Sequence, residues 1–268
     1  MKSKPTKQHT LWSRLLDLLL VVLATVLIVQ WWQSPQQQSF IDEQYVDEQL
    51  AAWEQEWEEQ SFSIEEYSRL SRLQAIANDQ TTRLEFAQAE QWTPEETALL
   101  QQAISKVRVM HVYDSSHQWL EQLQHIEALP GLEQIHLHVP AGAEFFALLN
   151  RMPGLKVLNV PQLTTEVNAD ALAEIPRHNT LQLLRLGGRN CDLSFLKVLS
   201  QSASIEYLHF LNSSLTDADL LVLDQQSQLQ SLYIDDSPVT EEGLWQLCEK
   251  LPQLHVHWND LHLTNATE

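Results

Sequence analysis

Ile205-Glu-Tyr-Leu-His-Phe210 and Leu229-Gln-Ser-Leu-Tyr-Ile234 are two copies of one phrase, set 24 residues apart. A second shared phrase follows each, Leu215-Thr-Asp-Ala-Asp-Leu220 in the first copy and Val239-Thr-Glu-Glu-Gly-Leu244 in the second. A period in the twenties is that of a solenoid, whose units bury their apolar sides only against neighbours. Such a fold offers an extended surface for recognition rather than a closed reaction pocket.

Working outward, the phrase has the form L-x-x-L-x-L. Its first position falls at Thr81, Ile104, Leu132, Leu155, Leu181, Ile205 and Leu229. The fourth and sixth positions are then Leu84 and Phe86, Val107 and Val109, Ile135 and Leu137, Leu158 and Val160, Leu184 and Leu186, Leu208 and Phe210, Leu232 and Ile234. All are apolar and alternate with other residues, the pattern of a short half-buried strand. Between strands the spacing turns helical, as in Leu99, Leu100 and Ala103, or Leu244, Leu247 and Leu251. Thr93-Pro-Glu-Glu96 supplies a helix start with a capping threonine, proline at the first position and glutamate three residues on. Thr216 with Asp219 has the spacing of a second capping box.

One strand and one helix per repeat at this spacing resembles the leucine-rich-repeat family, and Leu215–Leu220 is similar to its ribonuclease-inhibitor-like and bacterial variants. The resemblance covers roughly residues 81–263. It implies an α/β solenoid with short parallel strands on a concave face and helices on a convex face. The asparagine that the family often carries nine residues into the repeat, to bond the loop backbone, is absent. The position holds Ala89, Val112, Pro140, Leu163, Arg189, Ser213 and Ser237.

The formal net charge is −20. A nucleic-acid partner needs a basic footprint, so that class is not expected. Residues 1–32 hold four bases and one acid, which leaves 12 of the 16 bases and 35 of the 36 acids in the remainder. The two cysteines, Cys191 and Cys248, lie two repeats apart on different walls of the coil, which argues against a disulfide and for buried thiols.

Leu15 to Trp32 is almost continuously apolar, between Trp12 and the pair Trp31-Trp32. Trp31 lies 19 residues after Trp12, a helix rise of about 28 Å at roughly 1.5 Å per residue. A bilayer core is about 30 Å thick, and tryptophans mark its two edges. Asp17 lies three residues after Arg14, with which it can pair at the membrane edge. The residues after Val29 offer no small-residue cleavage site, so an uncleaved signal anchor is expected over a cleaved peptide or a buried helix. The basic flank precedes the span, so the expected orientation leaves residues 1–14 in the cytoplasm and the repeats outside it, in a bacterium the periplasm. Asn212 and Asn265 head N-x-S/T triplets, which matter only on a eukaryotic secretory path.

The expected organisation is a basic tail at 1–14, a transmembrane helix at 15–32, a Gln-rich linker at 33–39, an acidic helical stem at 40–79, the repeats at 80–263 and a tail at 264–268. In the stem Val46, Leu50, Trp53 and Trp57 make a narrow apolar seam. Ser63 with Glu66 opens a second helix carrying Tyr67, Leu70, Leu73 and Ile76 on one side. An N-terminal cap for the open solenoid end is the expected role; a short coiled coil and a flexible stalk are the alternatives.

Catalytic signatures are absent: no G-x-G-x-x-G, phosphate loop, G-x-S-x-G, H-E-x-x-H or EF-hand loop. No enzymatic activity and no cofactor are expected. His136 and His138 share one face of a strand, as do His255 and His257. Such pairs can bind zinc or copper with a further ligand, for which His111 and His209 are candidates, but strand histidines serve equally as polar surface. Gly187-Gly188 either offers amides to an anion or makes a tight turn. The fifth repeat position points to the concave face and reads Glu85, Arg108, His136, Asn159, Arg185, His209 and Tyr233. Tyr207 adds an aromatic from the third position. Arg and Tyr are favoured at binding hot spots. The expected partner surface is therefore Arg108, His136, His138, Asn159, Arg185, Tyr207, His209 and Tyr233, and the expected partner a protein bearing carboxylates or other anions. A scaffold acting through the acidic stem is the alternative, ahead of a metal protein or enzyme built on the histidines.

Overall fold

The computed structural model describes residues 68–87, 91–189, 195–199, 204–259 and 261–263. The chain divides into two compact units, Met1–Ile64 and Glu65–Glu268, and every described residue belongs to the second. The expected anchor, linker, stem seam and Ser63 capping box lie outside the described residues, as do Cys191, Asn265 and the 264–268 tail. Among the described residues no helix is long and apolar enough to cross a membrane.

The described chain is one nine-stranded sheet in sequence order. The strands are β1 (Arg83–Phe86), β2 (Val109–Val112), β3 (Gln134–Leu137), β4 (Val157–Val160), β5 (Leu183–Gly187), β6 (Tyr207–Leu211), β7 (Ser231–Asp235), β8 (His255–Trp258) and β9 (Leu261–Leu263). β1 to β8 pair in parallel, each with the next. β9 folds back antiparallel on β8. Parallel neighbours need a crossover, and here each is a short helical segment. The helix α1 (Arg69–Ala77) precedes β1, and the crossovers carry α2 (Pro94–Ala103), α3 (Gln118–Gln124), α4 (Ala143–Phe146), α5 (Ala169–Leu172), α6 (Leu196–Leu199), α7 (Asp217–Leu220) and α8 (Glu241–Lys250). A parallel strand-per-repeat sheet is the architecture that the leucine-rich-repeat resemblance implies.

The fourth and sixth columns form the core. Leu84, Ile135, Leu158, Leu184, Leu208 and Leu232 are buried in one cluster with helical residues such as Leu100, Leu123, Leu172 and Leu247. Burying a leucine of this kind contributes roughly 1.5–3 kcal/mol. The helix starts follow their sequence signals. Thr93 Oγ1 accepts from Glu96 N at 3.2 Å while Thr93 N donates to Glu96 Oε2 at 2.8 Å. Thr216 and Asp219 make the second such box.

One strand differs from the expected register. β2 spans Val109–Val112, so Met110 and Val112 take the core positions expected for Val107 and Val109. Met110 aligns with Leu84 and Ile135, and Val112 with Phe86 and Leu137. The segment satisfies the L-x-x-L-x-L phrase twice, from Ile104 and again from Val107. The length of the preceding helix decides between them. α2 starts at its Thr93 cap, runs to Ala103 and ends in a 3-10 turn over Ile104–Lys106. The strand therefore begins three residues later. His111 replaces Arg108 in the fifth column, and Ser115 replaces Val112 at position nine. Arg108 leaves the expected partner surface: it precedes the strand, and its Nη1 donates to Gly131 O at 2.9 Å.

α1 forms the first helical layer of this unit. Ser68 caps it, accepting from Ser71 N at 3.2 Å, and Leu73 and Ile76 are fully buried. The Arg69 guanidinium lies 4.6 Å from the Trp92 ring centroid and bonds Glu96 at 3.1 Å. Lys106 Nζ donates to Ala77 O at 2.7 Å and to Asp79 at 2.8 Å, closing the helix end.

Candidate functional site

The sheet face opposite the core carries the fifth column. The register aligns Glu85, His111, His136, Asn159, Arg185, His209, Tyr233 and His257 across eight strands. The third column contributes Tyr207 and His255, and the seventh Tyr113, His138, Leu211 and Asp235, because alternate residues of a strand share a face. Seven of the eight expected residues, all but Arg108, thus stand on this face. His111, Tyr113, Asp235 and His257 belong to it as well. His111 was recoverable from the alternation of Met110 and Val112 about it; His257 required an eighth strand beyond the last copy of the phrase.

This face has two unlike halves. From β2 to β4 it is a packed layer of rings. His111 and His136 stack with centroids 4.6 Å apart, and Tyr113 stacks on His138 at 4.1 Å. His111 Nδ1 lies 3.2 Å from His138 Nε2, so one proton is shared between them. Asn159 Nδ2 stands 3.4 Å from His136 Nδ1. Ring covers ring, and His111, His136 and Asn159 are only 4 %, 3 % and 4 % exposed. Burial drives the imidazoles to the neutral form. It pushes His111 down to about 2, with the charges of His136, Arg83 and His138 adding to the effect. It lowers His136 to about 3, helped by His138, Arg83 and Arg185, and His138 to about 4, helped by Arg83. These histidines are uncharged at neutral pH and contribute no cationic attraction. Next to them, Glu85 is engaged by Arg83 at 2.8 Å and Arg72 at 3.6 Å.

From β5 to β8 the face is more open. Arg185, Tyr207, His209, Leu211, Tyr233 and His257 are all partly exposed. Tyr207 Oη donates to Gln230 Oε1 at 3.1 Å, and His209 Nε2 meets Asp235 Oδ2 at 2.8 Å. Tyr233 and His257 stack at 4.2 Å. The seventh column is small at this point. It reads Pro161 and then Gly187, whose missing Cβ would lie 1.9 Å from the Pro161 carbonyl oxygen. Gly188 has φ +134°, and its N–H donates to Leu211 O at 3.0 Å. The glycine pair is thus a tight turn with that amide already committed to the ladder.

Beyond the strand ends the loops of the same repeats form a cleft of about 530 Å³, lined by Arg189, Ser213, Ser214, Asp236, Ser237 and Asn259. Ser213 and Ser237 sit at position nine. Their hydroxyls bond each other at 2.8 Å, Ser237 donates on to Asp235 O at 3.0 Å, and Leu215 N donates to Ser213 Oγ at 3.3 Å. In these two repeats a serine ladder bonds the loop backbone where the family often has asparagine.

Among the described residues no group of three or more His, Cys, Asp or Glu side chains is placed to hold one metal ion. His111 and His136 meet face to face, and His111 Nδ1 and His138 Nε2 are turned on each other. Cys248 is buried, and its burial raises its pKa.

No protein-family model matches the chain, and no curated protein matches it. Among solved structures, an internalin from Listeria monocytogenes matches with 14 % identity and a TM-score of 0.38, over 60 % of this chain and 52 % of that one. The chain thus spans about half the length of that internalin. The solenoid assignment rests on the strand register itself.

Proposed function

We propose that this is a membrane-anchored recognition protein, whose repeats bind a protein partner through the open sheet face on the extracytoplasmic side. The apolar segment 15–32 supplies the anchor, and the basic residues before it set the orientation. One observation carries the binding reading: Arg185, Tyr207, His209 and Tyr233 lie together on adjacent strands and remain partly exposed. Arginine and tyrosine bring large contact area and directed hydrogen bonds, and they dominate binding energies when a partner covers them. The packed half from β2 to β4 acts as a rigid support beside this patch rather than as a contact surface.

The test is capture of the full-length chain from its own membranes, with the co-purifying proteins quantified. The double variant Arg185→Glu, His209→Glu is expected to lose the partner that the wild type retains. Undiminished capture refutes the assignment. A parallel deletion of residues 40–64 tests the scaffold alternative, in which the acidic stem holds the partner and the sheet face does not.

A further inference from the structure

We propose that the loop cleft beyond the ends of β5 to β8 is a second binding site, which takes a small linear zwitterion: an amino-acid-like molecule with one carboxylate and one ammonium group. The cleft lies outside the open sheet face, and the proposal stands independently of the partner-binding reading above.

The floor and the walls of this cleft differ in what they leave for a ligand. Ser213 is buried, and the hydroxyls of Ser213 and Ser237 are spent on each other and on the loop backbone. They fix the shape of the floor. Arg189 and Asp236 are exposed and line the same cleft with opposite charges. Arg189 is held through Nε, which donates to Asn212 Oδ1 at 2.7 Å and leaves the two Nη groups of its fork. Asp236 is held through its main chain, whose N–H donates to Asn259 Oδ1 at 3.0 Å. Among the described residues no hydrogen bond engages its carboxylate, and no ion pair joins it to Arg189. Elsewhere on the surface Lys106, Lys156, Arg177 and Lys250 each pair with a carboxylate. A cation and an anion that share a cleft without meeting leave both charges for a third molecule.

The two charges are also set in place before a ligand arrives. Asn212 and Asp236 follow the aligned pair Leu211 and Asp235, so they stand side by side on adjacent repeats. Both have left-handed backbones, φ +45° and +50°, which asparagine and aspartate accept more readily than bulkier residues. Asn212 N–H donates to Asp235 O at 2.8 Å, which ties its turn to the next strand. The Arg189 fork is thus fixed to one repeat and the Asp236 carboxylate to the next, and little ordering is left to oppose binding. Charge complementarity then selects the ligand. A singly charged molecule is drawn by one wall and repelled by the other. A zwitterion gains at both: its carboxylate matches the guanidinium fork, and its ammonium matches Asp236. In a chain of net charge −20 a ligand with no net charge also escapes the repulsion that a free acid meets. Pro238 offers apolar surface for the methylenes between the charges. The volume of about 530 Å³ falls among those of small-molecule sites, about 300–1,000 Å³.

The probes are glycine, β-alanine, γ-aminobutyrate and δ-aminovalerate, which carry the same two charges at increasing separation. Butyrate, butylamine and the neutral methyl glucoside are the controls. Binding to the full-length chain in detergent is read by ligand-observed NMR titration. Because the walls are fixed, affinity should peak at one chain length. That zwitterion should bind about tenfold tighter than butyrate or butylamine, the gain of a second charged contact. Arg189→Gln and Asp236→Asn should each reduce it to the level of the single-charge controls. Asparagine suits the left-handed backbone at 236, and melting curves of both variants report whether the fold is kept. Equal binding of zwitterions and single-charge controls by the wild type overturns the proposal without recourse to any variant. Binding that survives both substitutions, or that methyl glucoside matches, overturns it as well.

Discussion

The stacked histidines make acid stability a sensitive probe of this fold. His111, His136 and His138 are held neutral, with values near 2, 3 and 4 against an ordinary 6.5. An unfolded chain takes up these protons as the pH falls through about 6.5, while the folded chain does not. The unfolded state then binds more protons, so the stability present above pH 6.5 is lost on acidification, over the window from 6.5 down to the folded values. Each unit of pH below 6.5 costs about 1.4 kcal/mol per imidazole. At pH 5 that is about 2 kcal/mol for each buried ring, and less for His138, which keeps part of its ring in water. Each ring's value already includes the charge of its neighbours, so the three losses overlap; one alone is a sizeable part of a typical domain stability of about 5–15 kcal/mol. Urea unfolding of the wild type and of His136→Gln at pH 7.5 and pH 5.0 isolates the effect, because carboxylate contributions common to both chains cancel. The variant should start less stable, having lost the stack, yet lose about 2 kcal/mol less than the wild type on acidification. The same pH loss in both chains, or a His136 imidazole proton resonance that titrates near 6.5, refutes the neutral-stack account.

Other outcomes follow from local geometry. Gly187→Ala forces a methyl against the Pro161 carbonyl, and neither backbone can yield, so thermal melting should show a loss of about 1–3 kcal/mol. Gly154→Ala, where the nearest atom would be 3.2 Å away, should cost less by the same measurement. Thr93→Ala removes the α2 capping box and should cost about 1 kcal/mol in urea unfolding. Arg108→Ala should lower stability by up to about 1 kcal/mol through its lost bond to Gly131 O. It should leave partner capture unchanged, since Arg108 is off the open face; a loss of capture in that variant contradicts the β2 register.

The sequence by itself determined the repeat and the core. Alternation fixes which residues of a strand share a face, so Leu158, Leu184, Leu208 and Leu232 read as core from their spacing alone. Thr93 and Thr216 mark helix starts because capping is a local event within four residues. The proposed membrane span and its orientation rest on the sequence alone. Tertiary structure decided the rest. At β2 two overlapping phrases fit the same local pattern, and only the run of α2 from its cap chooses Met110 and Val112 over Val107 and Val109. That choice exchanges Arg108 for His111 and turns a charged column into a neutral ring stack. Exposure was equally illegible. His136 and His209 occupy the same repeat position, yet one is buried between the His111 ring on β2 and Asn159 on β4 while the other keeps contact with water. Whether a side chain on a sheet face can be touched depends on its neighbours across strands some 23 to 26 residues away, and periodicity along the chain carries no record of their size.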